Sequence, residues 1–545
     1  IYFEPAYDLG WFFPSLSGYL SDARGSNFTA LVENTLSYKL NLDKHNFEFL
    51  VGTAYQKDSY TNITGVGTNL TPPYSYSFDN ISDPTNKLLN GNSGISKFYS
   101  PIFARINYNY DDRYLITGNY RKDEASRLAP QNRSGDFSGV SVGWNINKEK
   151  FIHLPEFINT LKLRGGYGTV GNVQALTYYA YQAILNPNAN YEFNNALASG
   201  TTQTQVFDTN NKWEKKTTKS VGVDLSMFNN KISFTAEYYN NKNSGILLGV
   251  PIPLSVGAIN TPIVNAATFT NKGLEFTATY HGNTSGPFQY DISGNISTLK
   301  NKVLSLGSGN IPIYGAYSKT AVGGEVGELY GYVSEGIFQN AADIKNHATQ
   351  TNATVGDVKF KDINGDGIIT DADQTTLGSA IPKIYFGLNL NGSYKNFDAS
   401  LFIQGNTGNK IANGVYQTLM QGQYLNASTD ELNYWTPTNT NTNVPRPVIG
   451  DPNANTRNSN RFIQNGSFAR LQTAQIGYTI PESLLKRTKA FTKLRIYLSG
   501  QNLFTVTKYK GYDPDFINDG TINRGYDYGS YPNPRTFLLG VQVGL

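Results

Sequence analysis

The sequence predicts an all-β fold, an antiparallel β-barrel that crosses a membrane. Three observations predict it. Strand-like runs carry one apolar face, the connections between them alternate short and long, and the composition is rich in aromatics and poor in charge.

Strand side chains point alternately to opposite faces, so a half-apolar sheet reads with a period of two. Arg113–Arg121 sets Tyr114, Ile116, Gly118 and Tyr120 against Leu115, Thr117, Asn119 and Arg121. Lys231–Tyr239 sets Ile232, Phe234, Ala236 and Tyr238 against Ser233, Thr235, Glu237 and Tyr239. Phe397–Gln404 does the same with Phe397, Ala399, Leu401 and Ile403. A soluble sandwich shares this pattern, and the connections separate the two. Asp111-Asp112, Asn229-Asn230 and Lys395-Asn396 make tight turns, whereas 61–97, 169–212, 301–383 and 407–466 are long. Short turns on one rim and long loops on the other are the plan of an outer-membrane barrel.

Composition agrees. Tyr (38), Phe (30) and Gly (53) are abundant while charged residues are 16%, which suits an apolar outer band around a polar lumen. No run of about 18 apolar residues offers a transmembrane helix. A formal charge of +4, scattered over the chain, points to no nucleic acid. Cysteine is absent, which removes disulfides and thiolate metal sites.

In chain order, alternation and turn residues place about fifteen strands. They lie near 28–40, 45–60, 98–110, 113–127, 136–146, 158–168, 213–228, 231–247, 268–281, 286–300, 384–394, 397–406, 467–479, 491–505 and 535–545. The last sets Phe537, Leu539, Val541, Val543 and Leu545 on one face. It anchors the count, with the C-terminus on the short-turn side and the tight turns falling on that side throughout. Single-chain bacterial barrels have even strand numbers, and an open edge cannot sit in lipid. An odd number of further N-terminal strands is therefore expected outside residues 1–545, with Ile1–Asn27 read as a long aromatic-rich loop. The chain opens on Ile1 with no signal-peptide pattern, so it is expected to start after processing or inside a longer precursor. Val223 and Leu401 are expected to face lipid, and Asp224 and Ser400 the lumen. Arg495, Gln501, Asn389 and Asn391 are lumen candidates by facing.

The sharpest motif is Asp362-Ile-Asn364-Gly-Asp366-Gly367-Ile368-Ile369-Thr370-Asp371-Ala372-Asp373. It has the spacing of a calcium loop: Asp362, Asn364 and Asp366 at positions 1, 3 and 5, and the Ile368 carbonyl at 7. Asp373 stands at 12, and Gly367 at the turn. Ile369 would anchor the loop on an apolar surface. The plainer alternative is an acidic turn rich in Asn, Asp and Gly. The expected role of calcium is structural, ordering the long 301–383 loop on the outer rim.

Other patterns carry less. The four histidines (His45, His153, His281, His347) are dispersed, against a zinc site. Gly166-Tyr-Gly168-Thr-Val-Gly171 and Gly139-Val-Ser141-Val-Gly143 match dinucleotide and hydrolase signatures in letters only. Neither opens a helix, so both read as barrel glycines. No catalytic constellation is present. The aromatic groups Tyr74-Ser-Tyr76-Ser-Phe78 and Tyr526-Asp-Tyr528 suit sugar stacking, partner packing or simple loop packing.

Several stretches together resemble the SusC/RagA class of TonB-dependent outer-membrane transporters. They are Tyr110–Arg127 with Ser138–Glu149, Leu161–Asn172, Trp213–Leu248, Asn271-Lys272-Gly273-Leu274-Glu275, Phe360–Gln404, Gln501–Asp515 and the closing YPNPRTFLLGVQVGL. The resemblance covers nearly the whole chain in the family's order. It implies a barrel of about 22 strands around an N-terminal plug domain. Residues 1–545 would be its C-terminal barrel portion, without the plug and about seven strands, a number of the odd parity expected above. It also implies a TonB-contacting box near the N-terminus and a SusD-like lipoprotein lid. Leu545 stands where such barrels usually end in an aromatic. The implied function is active import of a glycan fragment or peptide across the outer membrane of a Gram-negative bacterium. The rival readings are a passive porin-type channel and a calcium-dependent polysaccharide-binding β-protein.

Overall fold

Tight turns set the hairpins. Asp111 and Asp112 (φ 50° and 54°) and Asn229 and Asn230 (φ 55° and 62°) all occupy the left-handed region. Asp and Asn tolerate that conformation better than other side chains. Arg113 N–H donates to Tyr110 O at 2.8 Å and Lys231 N–H to Phe228 O at 3.3 Å, closing turns whose twist matches that of the flanking strands.

The computed structural model describes the chain except residues 1, 5–17, 71–77, 79–83, 184, 187–190, 194–195, 199, 204–205, 251–254, 256–260, 283–285, 422–425, 486–490, 517–519, 521 and 545. Its main element is a 17-stranded antiparallel sheet. The strands Gly18–Leu42, His45–Leu70, Lys87–Tyr110, Tyr114–Ala125, Ser134–Asn145, Ile158–Asn172, Glu214–Met227 and Ile232–Gly249 pair in sequence order. Ile263–Gly282, Phe288–Thr298, Ile384–Tyr394, Phe397–Thr407, Phe468–Thr479, Lys493–Thr507 and Thr536–Gly544 continue it. Tyr2–Glu4 pairs with the first of these, and Lys300–Leu306 extends the pairing of Ile263–Gly282. No helix is long and apolar enough to cross a membrane.

Every expected strand is present, and the register fixes its faces. One row runs Tyr114–Trp144–Leu163–Val223–Ala236–Phe276–Ile296–Phe386, apolar throughout. The row from the next residue runs Lys162–Asp224–Thr235–Thr277–Asn295–Gly387–Gln404 and is polar. Leu401 pairs with Leu390 on the apolar face, and Ser400 with Asn391 on the other. The apolar face is left uncovered by protein: Val221, Leu498 and Leu539 are 58%, 52% and 75% exposed. A belt this extensive on a water-soluble protein would drive association; here it is the lipid face.

The structure corrects the expected boundaries. Residues 18–27 are not loop but the upper part of the Gly18–Leu42 strand, to which Tyr2–Glu4 adds. His45–Leu70 and Lys87–Tyr110 likewise continue ten residues or so past the apolar band. Ser21, Asp22, Arg24, Gly25 and Ser26 lack an apolar face because strand above the membrane meets water on its outside. Lys300–Leu306 is also strand inside the expected 301–383 loop. Among the described residues no pairing joins Gly18–Leu42 to Thr536–Gly544, and Tyr2–Glu4 covers only the Tyr19–Ser21 stretch of the first. Leu545 lies outside the described residues.

A charge on the lipid face near mid-membrane costs about 2–4 kcal/mol, and a charge in the lumen does not. Leu401→Arg is expected to lower the yield of folded, heat-modifiable barrel sharply, while its neighbour Ser400→Arg leaves yield close to wild type. Equal yields would place the register one residue off.

Candidate functional site

Some charges of the polar face form pairs, two of which reach across glycines. The Arg164 guanidinium donates to Asp224 at 3.3 Å and Glu237 at 2.5 Å. Gly222 lies between Arg164 and Glu237 in the register, and a Cβ there would stand 2.9 Å from Arg164 Cζ. Arg495 passes over Gly477 in the same way to donate to Asp398 at 2.9 Å, and it reaches Gln542 at 3.4 Å. Arg121 donates to Asp123 at 2.6 Å and Ser100 at 2.7 Å. Asn389 and Asn391 lie opposite Ser293 and Asp291, and Gln501 opposite Thr473. All four lumen candidates therefore sit on the polar face. Facing alone missed the Arg164 group. An inward glycine flanked across strands by opposite charges was the available signal.

Above the wall, segments 299–383, 408–467 and 508–535 fold together. Lys410–Asn413 pairs with Ile463–Asn465 and with Tyr526–Asp527, joining two of these loops in one small sheet. Tyr317, Leu329, Ala412, Met420, Val444 and Phe462 make their shared apolar cluster. A buried polar network clamps the first loop to the second. Arg446 donates to both Asp357 oxygens at 3.0 and 3.2 Å, and Asp357 is 1% exposed. Asn455 donates to Asp357 and accepts from Val358 N–H at 2.7 Å. Gln350 donates to Asn453 at 2.6 Å and accepts from Phe360 N–H at 3.0 Å. The Arg457 guanidinium lies 4.5 Å from the Phe360 ring centroid and 4.9 Å from that of Tyr332. Burial pushes the Arg461 guanidinium down to about 10 and, with Asp430, the Tyr416 phenol up to about 12. These are groups held inside a core rather than free for cargo. Tyr526 stacks on Tyr317 and packs the loops, while Tyr528 beside it is 74% exposed. Tyr74 and Tyr76 lie outside the described residues.

The 362–373 segment forms a turn-rich loop on this assembly. Asp362 accepts from Gly365 N–H at 2.7 Å and Gly367 N–H at 2.9 Å, with both glycines at positive φ (75° and 83°). Asn364 Nδ2 donates to Asp366 at 2.8 Å, and Asp366 accepts from Ile368 N–H at 2.9 Å. Ile369 is buried with Tyr332, Val358 and Phe360, the anchor that its position suggested. Asp373 is fully buried and accepts from Ile363, Asn364 and Thr370 N–H. Burial raises its carboxyl, but those amides and Asp362 outweigh it and hold the pKa below the usual value. Asp362 and Asp373 thus meet, and Asn364 and Asp366 meet each other. Among the described residues, no three His, Cys, Asp or Glu side chains converge at metal distance. An ion here would rest on the mixed set of Asp362, Asn364, Asp366, Asp373 and the Ile368 carbonyl, of which Asp366 is exposed and bonded to Asn364.

The described histidines are dispersed: His45 meets Tyr108 at 2.9 Å, His281 meets Asp291 at 2.5 Å, and His347 meets the Ala348 carbonyl at 3.0 Å. The two glycine signatures lie within Ile158–Asn172 and Ser134–Asn145, as barrel strand.

Residues 2–503 match the family described as TonB dependent receptor-like, beta-barrel, and the chain belongs to that family. It is 32% identical over 533 residues to TonB-dependent receptor P3 of Formosa agariphila, covering 94% of this chain and 52% of that protein. It is 28% identical over 444 residues to TonB-dependent receptor SusC of Bacteroides thetaiotaomicron, covering 81% of this chain and 43% of that one. The solved RagAB peptide transporter superposes with a TM-score of 0.83 over 97% of this chain and 56% of its own, at 23% identity, which shows the shared fold. The chain spans about half the length of the curated relatives it matches. It is an outer-membrane β-barrel chain of a family of receptors, not enzymes.

Two outcomes follow from the loop chemistry. Arg446→Ala leaves Asp357 buried without its cation, a loss on the order of 3 kcal/mol. Protease sensitivity of 334–373 is expected to rise while the barrel stays heat-modifiable. The Asp373 carboxyl, depressed in the fold, stabilises the loop fully above about pH 3.9, and that contribution is lost as pH falls through its lower folded value. Pepsin cleavage within 349–373 should rise over that acid window in wild type. Asp373→Asn should be cleaved more readily and without that pH dependence.

Proposed function

We propose that this chain is the barrel wall and outer loop assembly of a TonB-dependent importer of the SusC/RagA type. Its cargo would be a glycan fragment or peptide. The observation that carries this reading is the clamped loop assembly standing over a polar wall. An ordered rim offers a fixed seat for a SusD-like lipoprotein. Ile449, Leu432, Tyr528 and Tyr531 on these loops are 84%, 83%, 74% and 89% exposed, and offer apolar contact for such a lid or for cargo. In this reading, further strands of the whole protein close the sheet, and a plug fills the lumen and meets TonB. The RagAB peptide transporter and SusC are its supporting likenesses.

Uptake of a labelled oligosaccharide or peptide by cells carrying the full-length protein tests it. Import should need TonB and an energised inner membrane. Equal uptake without TonB would favour the passive porin.

A calcium ion bound by Asp362, Asn364, Asp366, Asp373 and the Ile368 carbonyl belongs to the same reading. Support comes from the loop spacing, the positive-φ glycines and the meeting of Asp362 with Asp373. Oxygen ligands should stand at about 2.3–2.6 Å. Asp366→Ala should lose the ion and loosen 362–368 with the barrel intact. An ordered loop without an ion in calcium-containing buffer would leave the acidic-turn reading.

A further inference from the structure

The outward face carries a block of lysines where the apolar band ends. Register is unbroken from the Val223–Ala236–Phe276 row upward, so the faces do not switch. Above the exposed Val221–Tyr238–Leu274 row comes Lys219–Asn240–Lys272–Lys300, and above that Thr217–Lys242–Thr270–Lys302. Lys215 stands in the row beyond, opposite Ser244. All six lysines are exposed. No acidic residue shares these rows, and none of the six forms an ion pair among the described residues. Lys272 and Lys300 are direct cross-strand partners, an arrangement of like charges that destabilises a sheet. Elsewhere on the outward face Arg24 binds Asp22 at 3.1 Å, Lys122 lies opposite Asp136, and Lys57 lies opposite Lys97, but no other described stretch gathers six lysines on adjoining rows.

Height gives the block its meaning. Lys219, Lys242 and Lys272 lie about nine to eleven residues from the short-turn ends of their strands, the length that crosses the hydrocarbon. The ammonium groups therefore sit at the outer interface, among headgroups, directly above apolar wall. Acyl chains below and an anionic headgroup above would match the two tiers together. An acidic protein would use only the upper one.

We propose that this face, from Glu214–Met227 to Lys300–Leu306, docks the phosphate-bearing headgroup of an outer-leaflet glycolipid. Lys219, Lys272 and Lys300 hold the phosphates in the first row, and Lys242 and Lys302 in the second. Val221, Tyr238 and Leu274 lie against the chains. The bound anion relieves the Lys272–Lys300 repulsion.

The test uses the full-length protein purified in detergent, with phosphorylated lipid A and its dephosphorylated form as probes in a fluorescence titration. Wild type should bind the phosphorylated lipid at least about tenfold more tightly. Lys219→Ser/Lys272→Ser/Lys300→Ser should lose about tenfold or more, given the per-lysine attraction at anionic surfaces. The corresponding triple arginine variant should retain binding, and Lys44→Ser/Lys231→Ser/Lys395→Ser at the opposite rim should bind as wild type. Should the triple serine variant fail to give heat-modifiable barrel, Lys272→Ser and Lys300→Ser singly decide the matter, each expected to weaken binding several-fold. Undiminished binding by the serine variants, equal binding of both lipids, or displacement by inorganic phosphate alone would overturn the proposal.

Discussion

Hydrocarbon leaves a backbone amide no partner except the protein's own backbone. With no helix among the described residues long and apolar enough to cross, that partner is another strand, and the rest of this structure depends on that constraint. It forces long antiparallel pairing, and pairing fixes register. Because side chains alternate, register then decides which half of each strand meets lipid. Val223, Ala236, Phe276 and Ile296 form one continuous row only because four successive strands are held in step.

Charge is handled differently at each level. On the lumen wall, Arg164 and Arg495 are neutralised at once by carboxylates reached over Gly222 and Gly477. These pairs present hydrogen-bonding groups to passing cargo, while Lys162, Lys216 and Arg105 on the same face form no ion pair among the described residues. In the loops, Asp357 is withdrawn from water altogether, and Arg446, Asn455 and Thr354 together satisfy it. A network so fully bonded specifies one loop arrangement, since any slip would leave buried polar groups unpaired.

The membrane-embedded fold was legible because lipid imposes a periodic signal. All fifteen strands and their facing follow from alternation and from the Asp and Asn turns. Legibility stopped where lipid stopped. Residues 18–27, 61–70 and 87–97 pair without a lipid face, so Asp22, Arg24 and Ser26 leave no periodic apolar trace of it, although Leu20 and Leu70 are buried together. The loop core was illegible for another reason. Asp357 and Arg446 stand 89 residues apart with nothing local to join them, and Gln350 and Asn453 stand 103 apart. The 362–373 motif was legible as a loop, with Ile369 buried as its position implied. Spacing could not reveal that Asp373 is already engaged by three backbone amides.

That engagement changes what an ion could do there. The sequence alone suggested that calcium orders the whole 301–383 segment. Yet Val358 and Phe360 are tied by Asn455 and Gln350, and Ile369 N–H donates to Thr349 O at 2.9 Å while Thr349 N–H donates to Gly367 O at 2.7 Å. Both ends of the motif are thus fixed by bonds that need no metal. The conformational entropy left for an ion to offset is that of about seven residues, 362–368, at roughly 1–2 kcal/mol each before their own turn bonds are counted. An ion in this loop would therefore act locally, setting the carboxylates of Asp362 and Asp366. The Asp357–Arg446 network, not the metal, holds the rim in shape.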